Sequence, residues 1–209
     1  MENNINFKVK VIALDFDGVI TNLNIDWNSA IRLSSTIAGY DIKSLITFYE
    51  AKYGTPIFQT VSKRIEQLEL EALKDAKPTP FIREFLQKLF ERHIETYVLS
   101  MQSARVVKTF LRKHDLTAHF KDIVTRERYP SKKAQVTYVL EKSEACPDQV
   151  LLVDDSARNI SKCTELGVVC FHFARHQNSH KTRETWNSIL NIAKDGAGTS
   201  SAEKTFPSN

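Results

Sequence analysis

The sequence predicts an α/β fold, with a doubly wound, mainly parallel sheet and a small helical cap inserted after its first strand. Three observations carry this reading. Short apolar runs at 9–14, 94–99 and 150–153 each end abruptly in a polar residue. From about residue 78 onward such runs alternate with helical spacing, as in a layered α/β sheet. Residues 21–77 read as helical throughout. At 209 residues and 42% hydrophobic content the chain can bury one good core plus a modest insertion. The expected division is therefore an α/β core of 1–20 and 78–194, a helical cap of 21–77 and a tail of 195–209.

The first strand is Val9-Lys10-Val11-Ile12-Ala13-Leu14, which delivers Asp15 and Asp17 into a turn at Gly18. Alternate strand residues point to opposite faces, so the two aspartates share a side and Phe16 points into the core. Gly18 lets the chain turn sharply and lets backbone approach a ligand. Asp26 caps a helix through Ala38 whose Trp27, Ala30, Ile31, Ser34 and Ala38 fall near one face. A second helix covers about 42–53. A third begins after Pro56, with Ile57, Val61, Ile65, Leu68 and Ala72 at three- and four-residue steps. Pro78 and Pro80 mark the return to the sheet. Residues 94–99 form a strand that ends in Ser100, and Lys132 and Lys133 open a helical pattern. The strand Val150-Leu151-Leu152-Val153 ends in Asp154-Asp155. A helix through Leu166, a strand at 168–173 and an amphipathic helix at 182–194 carrying Trp186, Ile189, Leu190 and Ile192 complete the fold. The last residues, 195–209, are small, polar and Gly/Ser-rich, which predicts disorder.

An aspartate at the end of a buried strand is unfavourable unless something there needs a charge. Open parallel sheets bind ligands at the carboxyl ends of their strands. Two acid-tipped strands side by side would thus bring Asp15, Asp17, Asp154 and Asp155 to one crevice. Four carboxylates repel one another unless they hold a divalent cation, and an oxygen-only set suits Mg²⁺ better than zinc or copper. A hydroxyl from Ser100 and an ammonium from Lys132 or Lys133 are what a phosphoryl group requires beside a metal. Each piece alone has an ordinary explanation, since Asp-Gly is a common turn pair and lysines at helix starts are usually solvated. The combination is far more specific.

The order Asp-x-Asp-Gly-Val, then apolar-Ser, then Lys, then Asp-Asp resembles the haloacid dehalogenase superfamily of aspartate-nucleophile phosphohydrolases, over residues 9–173 of a Rossmann-like core. The resemblance implies Asp15 as nucleophile and metal ligand, and Asp17 as general acid/base with its carbonyl also on the metal. It implies Ser100 and Lys132 on the phosphoryl oxygens, with Gly18 beside them, Lys132 also pairing with Asp15, and Asp154 and Asp155 completing a Mg²⁺ site. Lys132 lies 22 residues before Asp154, which resembles the family's usual separation and so favours it over Lys133. Asn159 matches the position that holds a metal water or the lysine, a helix-capping asparagine being the plainer alternative. The helical insert resembles the C1 cap of the phosphoglycolate phosphatase and phosphoglucomutase-like branch. Thr21-Asn22 departs from it, standing where that branch has an acidic residue followed by Ser or Thr.

The implied activity is Mg²⁺-dependent hydrolysis of a small phosphomonoester through an aspartyl-phosphate. A sugar phosphomutase would share the catalytic set, and a non-enzymatic phosphate- or partner-binding protein would share the fold. A response-regulator receiver fits poorly, because there the acidic pair precedes the accepting aspartate. Candidate specificity positions are the cap turns at Gly39, Tyr40, Asp41 and Lys43, and at Lys52 and Tyr53.

Net charge is +4, and residues 105–133 hold nine Lys or Arg against three acids. Aromatic residues suited to base stacking are not interleaved there, so a solvated helix face is expected rather than a nucleic-acid surface. The cysteines, Cys146, Cys163 and Cys170, have no metal spacing and suit a reducing, cytoplasmic setting. No apolar run approaches membrane length and the start is polar, so neither a span nor a signal peptide is expected. His172, His176 and His180 recur every four residues, but the first sits in a strand, which makes a chance pattern the expectation.

Overall fold

Five parallel strands in the order β3-β2-β1-β4-β5 form the centre of the molecule. They are β1 (Val11–Asp15), β2 (Glu95–Leu99), β3 (Asp122–Val124), β4 (Val150–Asp154) and β5 (Val169–His172). The computed structural model describes residues 8–175 and 178–195. Between β1 and β2 lie α1 (Trp27–Ala38), α2 (Leu45–Lys52), α3 (Pro56–Ala72) and α4 (Ile82–Glu91). The later helices are α5 (Ala104–Lys113), α6 (Lys132–Ser143), α7 (Ala157–Thr164) and α8 (Ser179–Asp195). The tail expectation therefore concerns residues outside the described ones, apart from Asp195 at the end of α8.

Every residue of β1 and β4 is buried, which is why both read as unbroken apolar runs rather than alternating ones. Their side chains still divide by face. Ile12, Leu14 and Phe16 join Phe85, Phe110 and Trp186 in one cluster, while Val11 and Ala13 join Tyr97, Val136 and Leu152 in the other. Helices therefore cover both faces.

The inserted helices have a cluster of their own, built from Ala30, Ile42, Leu45, Phe48, Tyr49, Phe58, Val61 and Ile65. Asp26 caps α1 by accepting from the Ser29 N–H at 3.1 Å. Ser44 caps α2, so that helix begins at Leu45 rather than at 42 as expected. Thr55 caps α3 with Pro56 in its first turn. The buried face of α3 is Phe58, Val61, Ser62, Ile65 and Glu69, rotated from the expected one. Ile57 and Leu68 are only partly buried. A charged residue, Glu69, belongs to the inward stripe because its partner, Arg126, is supplied by the sheet domain's loop 57 residues away.

Thr21 and Pro78 bridge where the chain leaves the sheet and returns. Thr21 Oγ1 donates to the Lys77 carbonyl at 2.8 Å, and the Thr79 N–H donates to the Ile20 carbonyl at 2.9 Å. The basic stretch 105–133 is not one solvated face. Arg126 and Lys132 are buried, while Lys121, Arg128 and Lys133 pair with Glu95, Asp122 and Glu165. Cys146 is exposed, Cys163 buried and Cys170 half-buried, all as free thiols. Among the described residues no helix is long and apolar enough to cross a membrane.

Candidate functional site

Because β1 and β4 are adjacent and in register, Leu14 opposite Val153, their aspartates emerge together at the carboxyl edge. Asp15 is 7% exposed, and its Oδ1 accepts from the Phe16 N–H at 2.7 Å and from Lys132 Nζ at 2.9 Å. Lys132 is the first residue of α6, set there by Ser131 capping the Ala134 N–H. Its Nζ also donates to the Leu99 carbonyl at 2.6 Å and lies 3.5 Å from Asp154 Oδ2. One ammonium thus ties together the ends of β1, β2 and β4. Lys133 points elsewhere, to Glu165 on the surface.

Asp154 is fully buried; its Oδ1 accepts from the Ser156 N–H at 2.8 Å, and Asn159 Nδ2 lies 3.1 Å from both its oxygens. Asn159 therefore orients the Asp154 carboxylate. Asp155 stands nearer the rim, with its Oδ2 2.6 Å from Arg175 Nη2. Asp15, Asp154 and Asp155 each offer an oxygen within 4.8 Å of the others. The Asp17 carboxylate is not one of these three; its Oδ1 accepts from the Leu23 N–H at 2.9 Å.

Burial raises the pKa of Asp15 to about 8, with Lys132 pulling it down and Asp154 and Asp155 pushing it up. Asp17 is also raised, mainly by burial, against the Leu23 N–H and the Arg175 charge. Burial works against the Lys132 charge, but Asp15 and Asp154 outweigh it and hold its pKa above the ordinary lysine value. Lys132 facing Asp15 and Asp154, with Arg175 on Asp155 at the rim, still leaves negative charge in excess. A hard, oxygen-only donor set with that excess could hold a divalent metal ion.

Two expected phosphate contacts are differently arranged. Ser100 is buried, its Oγ donating to Gln102 Oε1 at 2.6 Å and accepting from the Gln102 N–H at 3.0 Å. Gln102 and Met101 line the cavity at that point. The Gly18 N–H donates to the Thr21 carbonyl at 2.7 Å, so its amide serves the turn rather than a phosphate. What Gly18 contributes is room, because a Cβ there would stand 2.2 Å from Asp155 Oδ2, at a φ of +105°.

A cavity of about 430 Å³ opens over this edge. Asp15, Asp17, Lys132 and Arg175 line its lower side, and Trp27, Ile31, Lys43, Tyr49 and Glu69 line it from the inserted helices. Of the expected cap-turn candidates, Lys43 reaches this cavity, whereas Tyr40, Asp41 and Lys52 line a separate shallow groove. Gly39 has open space around it, and Tyr53 Oη lies 2.8 Å from the carbonyls of Glu127 and Arg128.

Sequence reasoning missed Tyr49, Glu69, Gln102, Arg126 and Arg175. Only Glu69 carried a usable signal, a carboxylate in step with Phe58, Val61 and Ile65 on an apolar stripe. Asn22, at the position that departs from the resembled branch, accepts from Arg175 Nη1 at 2.9 Å. His172 Nε2 lies 2.9 Å from the Asp155 carbonyl, His180 pairs with Glu184, and His176 lies outside the described residues. The described histidines form no metal set.

An open parallel sheet with aspartates at the ends of two central strands, a buried lysine beneath them and a helical insertion above defines the class: an α/β enzyme working at the carboxyl edge of its sheet. The chain belongs to the haloacid dehalogenase-like hydrolase family, whose model matches residues 12–173. Solved structures share the fold. A predicted phosphoglycolate phosphatase from Haemophilus somnus superposes with TM-score 0.62 at 16% identity, covering 88% of this chain and 98% of that one. A predicted phosphatase from Clostridium acetobutylicum gives 0.64 at 14%, covering 88% and 99%. A protein assigned as beta-phosphoglucomutase from Thermotoga maritima gives 0.58 at 17%, covering 88% and 100%. No curated protein matches the chain by sequence.

Proposed function

We propose that the protein is a Mg²⁺-dependent phosphatase that hydrolyses a small phosphomonoester through an aspartyl-phosphate on Asp15, with residues 21–77 as the cap over the site. The observation that carries this reading is the Asp15 carboxylate. One of its oxygens is fixed by Lys132 and the Phe16 N–H, which leaves Oδ2 to attack, and two further carboxylates stand beside it.

In this scheme Lys132 draws a phosphoryl oxygen toward Asp15, and Asp15 Oδ2 attacks phosphorus while the ester oxygen leaves. Asp17 gives that alkoxide its proton, a role suited to a carboxyl whose pKa burial has raised. Asp17 then takes a proton from the water that attacks the aspartyl-phosphate, releasing phosphate and restoring Asp15. A Mg²⁺ ion held by Asp15, Asp154 and Asp155, with the Asp17 carbonyl, would supply positive charge against the phosphoryl oxygens. Asn159 and the Ser156 N–H keep Asp154 aimed. Ser100 would exchange its bond to Gln102 Oε1 for one to a phosphoryl oxygen. Free thiols suit a reducing, cytoplasmic setting.

The test is phosphate release from para-nitrophenyl phosphate, sugar phosphates, phosphoglycolate, nucleotides and pyrophosphate, with Mg²⁺ or EDTA, for wild type and Asp15→Asn. Release that requires both Mg²⁺ and Asp15 is expected. Folded wild-type protein that releases phosphate from none of them would sink the reading, and rapid sugar-phosphate isomerisation with slow release would turn it into a mutase.

A further inference from the structure

Of the polar residues that the cap brings to the cavity wall, Lys43, Ser44, Tyr49 and Glu69, the last two are buried and the proposed chemistry uses neither. Tyr49 on α2 is 2% exposed, with its ring edge-on to Phe48 and Phe58 at centroid distances of 5.9 and 5.5 Å. Its hydroxyl is buried and has no hydrogen-bond partner among the described residues. Such a group lowers stability, and a phenylalanine would satisfy the same aromatic packing without it. Burial pushes the Tyr49 phenol well above its ordinary pKa, so the oxygen carries its proton and can donate.

Glu69 on α3 lines the same cavity and is 1% exposed. Its Oε1 accepts from Arg126 and its Oε2 from the Ser103 N–H at 3.1 Å, which leaves acceptor capacity on both oxygens. The Arg126 guanidinium links the two residues, pairing with Glu69 and lying 5.4 Å from the centre of the Tyr49 ring. Arg126 itself is fully buried and occupied, donating also to Ser62 Oγ at 2.8 Å, the Ser62 carbonyl at 3.0 Å and the Met101 carbonyl at 2.9 Å.

This wall selects by chemistry. At this depth an anionic tail would meet the Glu69 carboxylate, whose counter-ion Arg126 is already occupied and from which Lys43 stands apart at the exposed rim beside Asp41, and an alkyl tail would leave the Tyr49 hydroxyl unpartnered. A neutral hydroxyl satisfies both, accepting from Tyr49 and donating to Glu69. We propose that Tyr49 Oη and the Glu69 carboxylate form a subsite for a hydroxyl on the alcohol half of the substrate, which makes the substrate a polyol or sugar phosphate. This deepens the phosphatase reading and rests on it.

The experiment compares matched esters, sorbitol 6-phosphate with hexyl phosphate and ribitol 5-phosphate with pentyl phosphate, in wild type and Tyr49→Phe, with para-nitrophenyl phosphate as the general substrate. Wild type is expected to favour the hydroxylated member in kcat/KM by about tenfold or more, and Tyr49→Phe to bring that ratio toward one. Ligand-free Tyr49→Phe is expected to melt at the wild-type temperature or above it. A wild-type ratio near one, a ratio untouched by Tyr49→Phe, or a melting point several degrees lower would each overturn the subsite. Wild type inert toward every ester, para-nitrophenyl phosphate included, would instead bring down the phosphatase reading and the subsite with it.

Discussion

Lys132 with Asp15 and Asp154 at the sheet edge, and Arg126 with Glu69 between core and cap, are two ion groups buried to a similar depth. Side-chain exposures are 2%, 11% and 0% in the first and 0% and 1% in the second. They differ in balance. At the sheet edge Lys132 faces Asp15 and Asp154 while Arg175 meets the nearby Asp155 at the rim, so three carboxylates outnumber two cations and Asp15 Oδ2 is left for other work. Between core and cap the two charges cancel, and the guanidinium is further satisfied by Ser62 and Met101. Burial of charge alone therefore does not mark a site. Uncancelled charge with a spare oxygen points to charge chemistry, whereas a cancelled pair holds the fold and leaves Glu69 only a neutral hydrogen bond to offer the cavity.

Matched amide substitutions test this contrast most severely. Asp15→Asn is expected to cut phosphate release on the order of 10³-fold or more while leaving the melting temperature unchanged or higher, because it thins a crowd of carboxylates. Glu69→Gln leaves the buried guanidinium without its counter-charge and is expected to cost about 3–5 kcal/mol in urea unfolding. Replacing both partners, Arg126→Met with Glu69→Leu, should recover most of that loss. If Asp15→Asn destabilised the fold as much as Glu69→Gln, the distinction between the two groups would fail.

A smaller effect is expected at Gly18, where an added methyl meets Asp155 and Arg175 in a left-handed backbone. Gly18→Ala should cost about 1–3 kcal/mol by overpacking and strain, and should lower turnover by shifting Asp155, without touching the Arg126 pair. Smallest of all is Lys133→Ala. Its ion pair with Glu165 is 42% and 64% exposed, so stability should change by less than about 0.5 kcal/mol and turnover should stay at the wild-type rate. A loss of turnover there would reopen the choice of lysine.

The sheet-edge group was legible because its parts sit at strand ends and helix starts, where local pattern constrains position. A short β-branched run such as residues 11–14, closed by a glycine turn, reads as a buried strand, which puts the next residue, Asp15, at its edge. In the sequence Lys132 is favoured over Lys133 only through the separation from Asp154 that the resembled family shows, and the structure brings its ammonium against Asp15. The Arg126 group was not legible. Arg126 and Glu69 are joined only by tertiary folding, and in the sequence Arg126 is one more cation in a basic stretch that reads as solvated. The register of α3 went astray for the same reason, since apolar periodicity alone favours Leu68 over a neighbouring glutamate. Arg175 lies beyond the last strand in a loop with no pattern, and Tyr49 looks in sequence like any aromatic core residue.

The Arg126 contact also bears on how the molecule comes apart. Chain continuity fastens the inserted helices to the sheet at Thr21 and Pro78, Tyr53 and Glu50 add contacts to the Glu127 and Arg128 carbonyls and to Lys162, and Arg126 supplies the buried fastening at Glu69 and Ser62 on α3. An insertion held at its stem alone would fray in a separate, low-temperature step. Held at both places, it should share the sheet's cooperativity, so that calorimetry records one endotherm in the wild type and two once Glu69 has lost its charge.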